Sequence, residues 1–412
     1  MTEGEIKVKL LSKTFICPHC FERSCFEEVK FRCVNDAKRC EPEPDDKYSE
    51  FLGLGTPRMM AKTFGNPAPT GLLGKIKSLH IPRSATCSHC GEISTKRICP
   101  SCHSELPHTI GDFQDMIFSI VGAKESGKSH YIAVLLNEIM NSMGGAFNCN
   151  LQPVNDNTSK KYREDFYNPI FRRRETIQGT RSARADFSVR QPLVYTLSFM
   201  GRGMFGKKKI AQVVTISFFD TAGEDLNSED TILTENKYIF HSSGIIFLLD
   251  PLQLPVVRAQ LPEEVKLPVE NTELEEIISR TARLIRTARN MKQDQLIDIP
   301  VAVAFSKIDA LDPLLDPSSP LKYPSKHEGE YNVRDFESID AEVRSHIMEW
   351  KGEYLIQQLE ANFKDYGFFA LTALGSNPHG SNRISKLRPY RVADPFLWLL
   401  WKRGLIRAGK KP

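Results

Sequence analysis

The sequence predicts an α/β fold: a mostly parallel central sheet flanked by helices, preceded by a small cysteine-rich region. Three observations carry that expectation. From about residue 111 onward, apolar runs alternate with segments of helical period, the pattern of a parallel sheet wrapped by helices. One run, Met116 to Val121, leads directly into the glycine-framed stretch Gly122 to Ser129. Nine of the ten cysteines precede residue 103, so the amino-terminal part is held by a different chemistry. The chain therefore divides into residues 1–110, with two cysteine clusters around a linker-like insert at 41–86, and one α/β unit at 111–412.

With 412 residues and 41% hydrophobic side chains, the chain can bury a sizeable core. No run approaches the ~20 apolar residues that a membrane-spanning helix needs. Met1–Lys13 mixes charges with short apolar runs and lacks the form of a secretory leader, so the expectation is a cytoplasmic protein with no transmembrane segment. The formal charge of +4 would become zero if eight cysteines bound two Zn²⁺ as thiolates; global charge therefore selects no partner. Basic runs at Arg172-Arg173-Arg174, Lys207-Lys208-Lys209 and Lys402 to Lys411 read first as solvated faces. Nucleic acid is a partner that they allow but do not favour.

In the first region, Cys87-x2-Cys90-x8-Cys99-x2-Cys102 forms two knuckles, each able to offer two thiolates to one tetrahedral Zn²⁺. Reduced cytosolic thiols at this spacing argue for metal rather than disulfides. His89 and His103 then read as exposed knuckle residues, because four cysteines already close the site. Cys17 and Cys20 open a second cluster that Cys33 and Cys40 can complete. Cys25 could replace one of them, and crossed pairing of Cys17 and Cys20 with a later knuckle stays open. The zinc is structural, folding a segment too small for its own core. Cys149 reads as an ordinary buried or loop thiol.

The α/β part opens with Gly122-Ala123-Lys124-Glu125-Ser126-Gly127-Lys128-Ser129, which fits GxxxxGK(S/T). Glycines let backbone N–H groups curl around a phosphate, Lys128 reaches the outer phosphates, and the Ser129 hydroxyl can hold Mg²⁺ at the positive end of a helix. Ile132, Leu135, Leu136 and Ile139 supply the helical stripe that should follow. A second apolar strand, Val213 to Phe219, ends in Asp220-Thr221-Ala222-Gly223. Its carboxylate can hold Mg²⁺ through a water, and the Gly223 N–H can touch the terminal phosphate. A third, 299–305, ends in Ser306-Lys307-Ile308-Asp309. The Asp309 carboxylate can accept from guanine's ring N–H and exocyclic amine, whereas adenine offers no such pair of donors. Lys307 would lie along the base. A fourth, Tyr366 to Leu371, leads into Thr372-Ala373-Leu374.

Together these four segments resemble the Ras-like branch of translation-factor-related GTPases, over residues 111 to about 408. The resemblance implies a P-loop GTPase fold, GTP and GDP as ligands, Mg²⁺ as cofactor, and a molecular switch that binds and hydrolyses GTP and meets an effector or activating protein. It gives Mg²⁺ to Ser129, Asp220 and a threonine of the first switch, Thr180 with Thr176 second, and makes Thr372-Ala373-Leu374 the loop whose backbone supports the guanine carbonyl. The catalytic set is Lys128, Thr180 and Glu224. Glu224 stands where many relatives carry a water-orienting glutamine; its added negative charge predicts slow unaided hydrolysis, with Lys124, Arg181 or a partner's arginine as compensators. Ser306 replaces the usual asparagine, which puts tight guanine selectivity in doubt. The cysteine knuckles and the Arg391-to-Leu405 tail are further similar to zinc-ribbon-bearing bacterial GTPases of the double-GTPase conflict systems.

The remaining pattern predicts a buried strand at 244–250, helices over 272–292 and 338–363, a hairpin capped by Lys207 to Lys209, and a docked terminal helix with Asp394 as N-cap. Rival functions are a nucleotide-binding scaffold with little turnover, a zinc-ribbon nucleic-acid-binding protein and, because a phosphate loop is blind to the base, an ATPase.

Overall fold

Short strands that cannot bury a core alone make up the amino-terminal region. In the computed structural model the described residues are 14–35, 39–65, 80–111, 114–177, 191–202, 208–218, 237–262, 265, 267–268, 274–376 and 382–409. Strands β1 (Thr14–Ile16) and β2 (Arg23–Cys25) form a hairpin. Strand β3 (Lys30–Arg32) is followed by β4 (Glu43–Asp45), helix α1 (Asp46–Phe51), β5 (Arg58–Met60), β6 (Thr63–Gly65), the pair β7 (Ala85–Thr86) and β8 (Ile93–Ser94), and β9 (Arg97–Ile98). Strand β3 pairs with both β6 and β9, so the two cysteine clusters share one small sheet. The 41–86 stretch is thus no plain linker: it supplies α1 and four strands, β4 to β7.

From Gln114 the chain builds one seven-stranded sheet from β10 (Gln114–Val121), β11 (Cys149–Pro153), β12 (Leu193–Arg202), β13 (Lys208–Phe218), β14 (Gly244–Leu249), β15 (Val301–Phe305) and β16 (Tyr366–Ala370). Its order is β11-β12-β13-β10-β14-β15-β16. The pairs from β13 through β16 are parallel, and β11 and β12 are antiparallel additions at one edge. Lys208 and Lys209 pair in the β12–β13 ladder with Arg202 and Gly201 rather than capping it; Lys207 lies outside the described residues.

Continuous apolar runs bury both faces of such a sheet, and alternate side chains serve opposite cores. Phe118, Ile120, Ile246, Leu248, Ala302 and Ala304 pack toward α2 (Lys128–Glu138) and a carboxyl-terminal helix. Ile117, Val121, Phe247, Val303 and Phe305 pack toward α4 (Leu274–Arg289), α5 (Val333–Glu349) and α6 (Glu353–Asn362). A further segment, α3 (Asp156–Lys161), continues into wider π-type turns over Tyr162–Arg173. Each large side chain buried this way contributes about 1.5–3 kcal/mol.

Two expected elements differ. The single helix over 338–363 is two helices, because Lys351 adopts a left-handed φ of 58° and the Gly352 N–H turns back to Ile347 O at 2.8 Å, a Schellman-type stop. The terminal helix α7 (Asp394–Lys402) is docked, with Phe396, Trp398 and Leu399 buried, but Ala393 is its N-cap and Asp394 makes no cap bond. The Asp394 carboxylate instead meets Arg391 at 2.8 Å and the Ser325 hydroxyl. Among the described residues, no helix is long and apolar enough to cross a membrane.

Candidate functional site

Parallel pairing of β10, β14, β15 and β16 puts all their carboxyl ends on one edge, where open α/β sheets bind ligands. The stretch 122–129 sits there, between β10 and α2. Gly122 is obligatory: a Cβ would overlap the Leu248 carbonyl oxygen and lie 2.7 Å from Ser126 Oγ. Gly127 caps α2 with φ 90°, and Glu125 takes φ 63°, a left-handed conformation costly to a residue with a Cβ. These torsions turn the chain from β10 into the first turn of α2. Lys124 and Glu125 are exposed, Ala123 is buried and Ser129 is half-buried. Lys128 is 7% exposed and its Nζ donates to Gly122 O and Ala123 O, both at 2.9 Å, so the cation arches over the loop. Among the described residues Ser126 Oγ is buried without a hydrogen-bond partner, a state that normally requires an explanation.

The loop after β15 lies on the same edge. Ser306 donates through both its N–H (2.8 Å) and its Oγ (3.1 Å) to Leu249 O. Lys307 has a left-handed φ of 56°, and its Nζ meets the Asp250 carboxylate at 2.6 Å. Burial raises the Asp309 pKa, against which the Thr372 hydroxyl and the Lys307 cation favour the charged form. Thr372 Oγ1 also accepts the Gly375 N–H at 2.9 Å, and backbone bonds to Tyr390 hold its strand. Ala373 and Leu374 follow at half-buried positions. Burial, with the Lys307 charge adding to it, pushes the His130 pKa down to about 4. Its Nε2 accepts the Ile177 N–H at 3.1 Å, tying the start of α2 to the chain after Thr176, whose own N–H donates to Asn382 O. Thr180, Arg181, Asp220, Gly223 and Glu224 lie outside the described residues.

The structure therefore brings residues 122–129, Ser306-Lys307-Asp309 and Thr372-Ala373-Leu374 to one edge. Sequence reasoning missed Asp250 and His130 there. An aspartate followed by proline directly after an all-apolar strand was the available signal for Asp250.

Eight cysteines form two groups, with the favoured pairing corrected. Cys17, Cys20, Cys99 and Cys102 converge, and Cys33, Cys40, Cys87 and Cys90 converge, each set with sulfurs within 4.8 Å of one another. Neither run of consecutive knuckles closes a site by itself, because β3–β9 pairing nests one group inside the other. Sulfur separations are 3.9 Å for Cys17–Cys102, 3.8 Å for Cys20–Cys99, 3.5 Å for Cys33–Cys90 and 4.0 Å for Cys40–Cys87. These are far from a disulfide bond and match the ~3.8 Å edge of a tetrahedron with ~2.3 Å Zn–S bonds. Backbone N–H groups of His19, Asn35 and Ser101 point at Cys17, Cys33 and Cys99, each at 3.4 Å. The residues thus fit tetrahedral zinc, and Cys25 belongs to neither group.

His103 is not exposed as expected: it is 7% exposed, and Nδ1 meets Asp45 at 2.7 Å, which also takes Arg32 at 2.7 Å. The outer tetrad is joined to the α/β part. Pro18 O accepts the Ser217 hydroxyl at 3.2 Å, Glu22 pairs with Lys237, and Phe21 packs against Tyr238 with ring centroids 5.9 Å apart in the core that holds Val121 and Ala123. Cys149 is a plain buried thiol, its pKa pushed up to about 11 by burial.

No family model matches the chain. It is similar to a Mycolicibacterium smegmatis protein described as "Putative ESX-1 scaffolding and assembly protein SaeC", 26% identical over 333 residues that cover 75% of this chain and 80% of that protein. Among solved structures it aligns with the Arl6 BBS3 small GTPase of Trypanosoma brucei bound to the nucleotide analogue GppNp, at 10% identity and a TM-score of 0.28, over 71% of this chain and 98% of that one. Neither protein is described as a conflict-system GTPase.

Proposed function

We propose that the chain is a guanine-nucleotide-binding protein of P-loop GTPase fold, in which two structural zinc centres present a docking module to a protein partner. The observation that carries this reading is the shared sheet edge: a phosphate cradle with a buried, unpartnered Ser126 hydroxyl and an arched Lys128, beside a carboxylate, Asp309, fit to read guanine. Lys128 would leave the loop carbonyls for the β- and γ-phosphates, while the backbone N–H groups of 123–129 take the remaining oxygens. Lys124, Glu125 and Gly127 shape that cradle. Ser129, Asp220 and Thr180 would hold Mg²⁺, which when bound neutralises charge between the phosphates. Asp309 and Lys307 would read and cover the base, and the Thr372-Ala373-Leu374 backbone would meet its carbonyl. Gly223 would sense the terminal phosphate, and Glu224 would face the attacking water, so that hydrolysis of GTP to GDP is slow without a partner.

A second reading, a nucleotide-dependent scaffold with little turnover, is favoured by the similarity to a protein described as a scaffolding and assembly protein and by Glu224. Chromatography of the denatured extract together with elemental analysis tests the site. GDP or GTP with Mg²⁺ and two Zn²⁺ per chain is the expected outcome; copurifying adenine nucleotide, or no zinc, contradicts it. Radiolabelled GTP retained unhydrolysed after long incubation would select the scaffold over the switch.

A further inference from the structure

Among Ras-like proteins an asparagine usually occupies the position of Ser306 and ties the base-reading loop to the phosphate loop. Here the serine is 4% exposed, and its N–H and hydroxyl both go to Leu249 O at the end of β14. The residue just past β14 is Asp250, fully buried, with Oδ1 accepting the Leu252 N–H at 3.0 Å and Oδ2 meeting Lys307 Nζ at 2.6 Å. Three bonds thus fasten Ser306-Lys307 to the last residue of β14 and the residue just after it. They act where the backbone is least favourable, since Lys307 holds a left-handed φ of 56° and is followed two residues later by Asp309. A buried carboxylate is retained only with partners that satisfy it, and this one spends an oxygen on the loop's cation.

We propose that Asp250 is a positioning residue for base recognition: by clamping Lys307 in its left-handed conformation it preforms the loop that aims Asp309, in place of the missing asparagine. The inference rests on the guanine-nucleotide reading above and extends it to a residue that touches no nucleotide.

Asp250→Asn keeps the Oδ1 acceptor for Leu252 and removes the charge that holds Lys307. GDP and IDP affinities, GDP dissociation rate and melting temperature would be measured on the full chain for wild type, Asp250→Asn and Lys307→Met. IDP lacks the exocyclic amine that Asp309 would accept from, so the GDP/IDP ratio reports the aim of that carboxylate. Asp250→Asn should release GDP roughly tenfold faster and lower the GDP/IDP ratio at least threefold, one tenfold change being about 1.4 kcal/mol, and Lys307→Met should do the same. A lowered melting temperature with an unchanged ratio and release rate would overturn the positioning role, leaving Asp250 a core residue. Should Asp250→Asn fail to fold, Lys307→Met decides: an unchanged ratio there overturns the proposal. Wild type that binds neither nucleotide overturns the nucleotide reading itself, whereas wild-type binding with indifferent variants overturns only the inference.

Discussion

The loop at Gly122–Ser129 and the two cysteine tetrads are built on opposite plans. Around Gly122–Ser129 the backbone makes the site: two glycines and the left-handed Glu125 aim N–H groups, and Lys128 completes it. Around the tetrads the side chains make the site, converging from segments up to 85 residues apart in sequence. A backbone cradle fails when a Cβ is added; a thiolate cage fails when a ligand is lost. The two tetrads differ as well, since the outer one reaches the α/β core through Phe21 while the inner one packs around Phe31, Phe64 and Ala85.

The largest effect should come from the cage. Structural zinc in small domains carries apparent binding energies of about 10–16 kcal/mol, so Cys99→Ser and Cys87→Ser should each halve the zinc bound per chain and expose residues 14–111 to protease. Cys99→Ser should also lower the melting temperature of the α/β part more than Cys87→Ser does. Equal melting of the two variants would erase the distinction between tetrads.

Next comes the cradle. Gly122→Ala forces a Cβ onto the Leu248 carbonyl and should weaken GDP binding by roughly 100-fold, close to 3 kcal/mol, with zinc content unchanged. Loss of zinc in that variant would mean that the two sites are not separately built. Phe21→Ala tests the joint between them. Truncating a buried phenylalanine costs about 3–5 kcal/mol, and here the loss should appear in thermal melting while both zinc ions stay bound; a neutral outcome would show the knuckle to be merely adjacent.

The smallest effect is a pH dependence. Burial holds the His130 pKa down to about 4 in the folded chain, against ~6.5 when unfolded. The unfolded state therefore binds the extra proton first, and stability present above pH ~6.5 is lost as pH falls toward 4, on the order of 2 kcal/mol. His130→Gln should flatten that part of the stability profile. An unchanged slope would assign it to other groups.

How much of this was readable follows the same contrast. The phosphate cradle lies in eight consecutive residues between an apolar strand and an apolar-striped helix, so its strand, loop and helix all stood in the sequence. The five strands of the parallel core were equally legible, because continuous apolar runs such as Val301–Phe305 have few alternatives. Ligand pairing was not, because Cys-x2-Cys spacing fixes which two thiolates share a knuckle but not which knuckles dock; β3–β9 pairing decides that. His103 looked exposed because its partner, Asp45, is supplied by the stretch that had read as linker. The stop at Gly352 was hidden by an apolar stripe that keeps nearly the same phase on both sides of the break. Ser306 read as a departure from the pattern because the residue we propose to compensate for it, Asp250, sits 56 residues earlier, just past the end of another strand.

The central claim is that one sheet edge grips phosphates and prefers guanine. Calorimetric titration of the purified full chain with Mg²⁺·GDP and Mg²⁺·ADP, repeated on Lys128→Ala, tests it most directly. The account predicts a single GDP site at least about tenfold tighter than ADP, a difference of ~1.4 kcal/mol or more, and no measurable binding by the variant. Equal affinity for the two nucleotides, or GDP binding that survives Lys128→Ala, would contradict it.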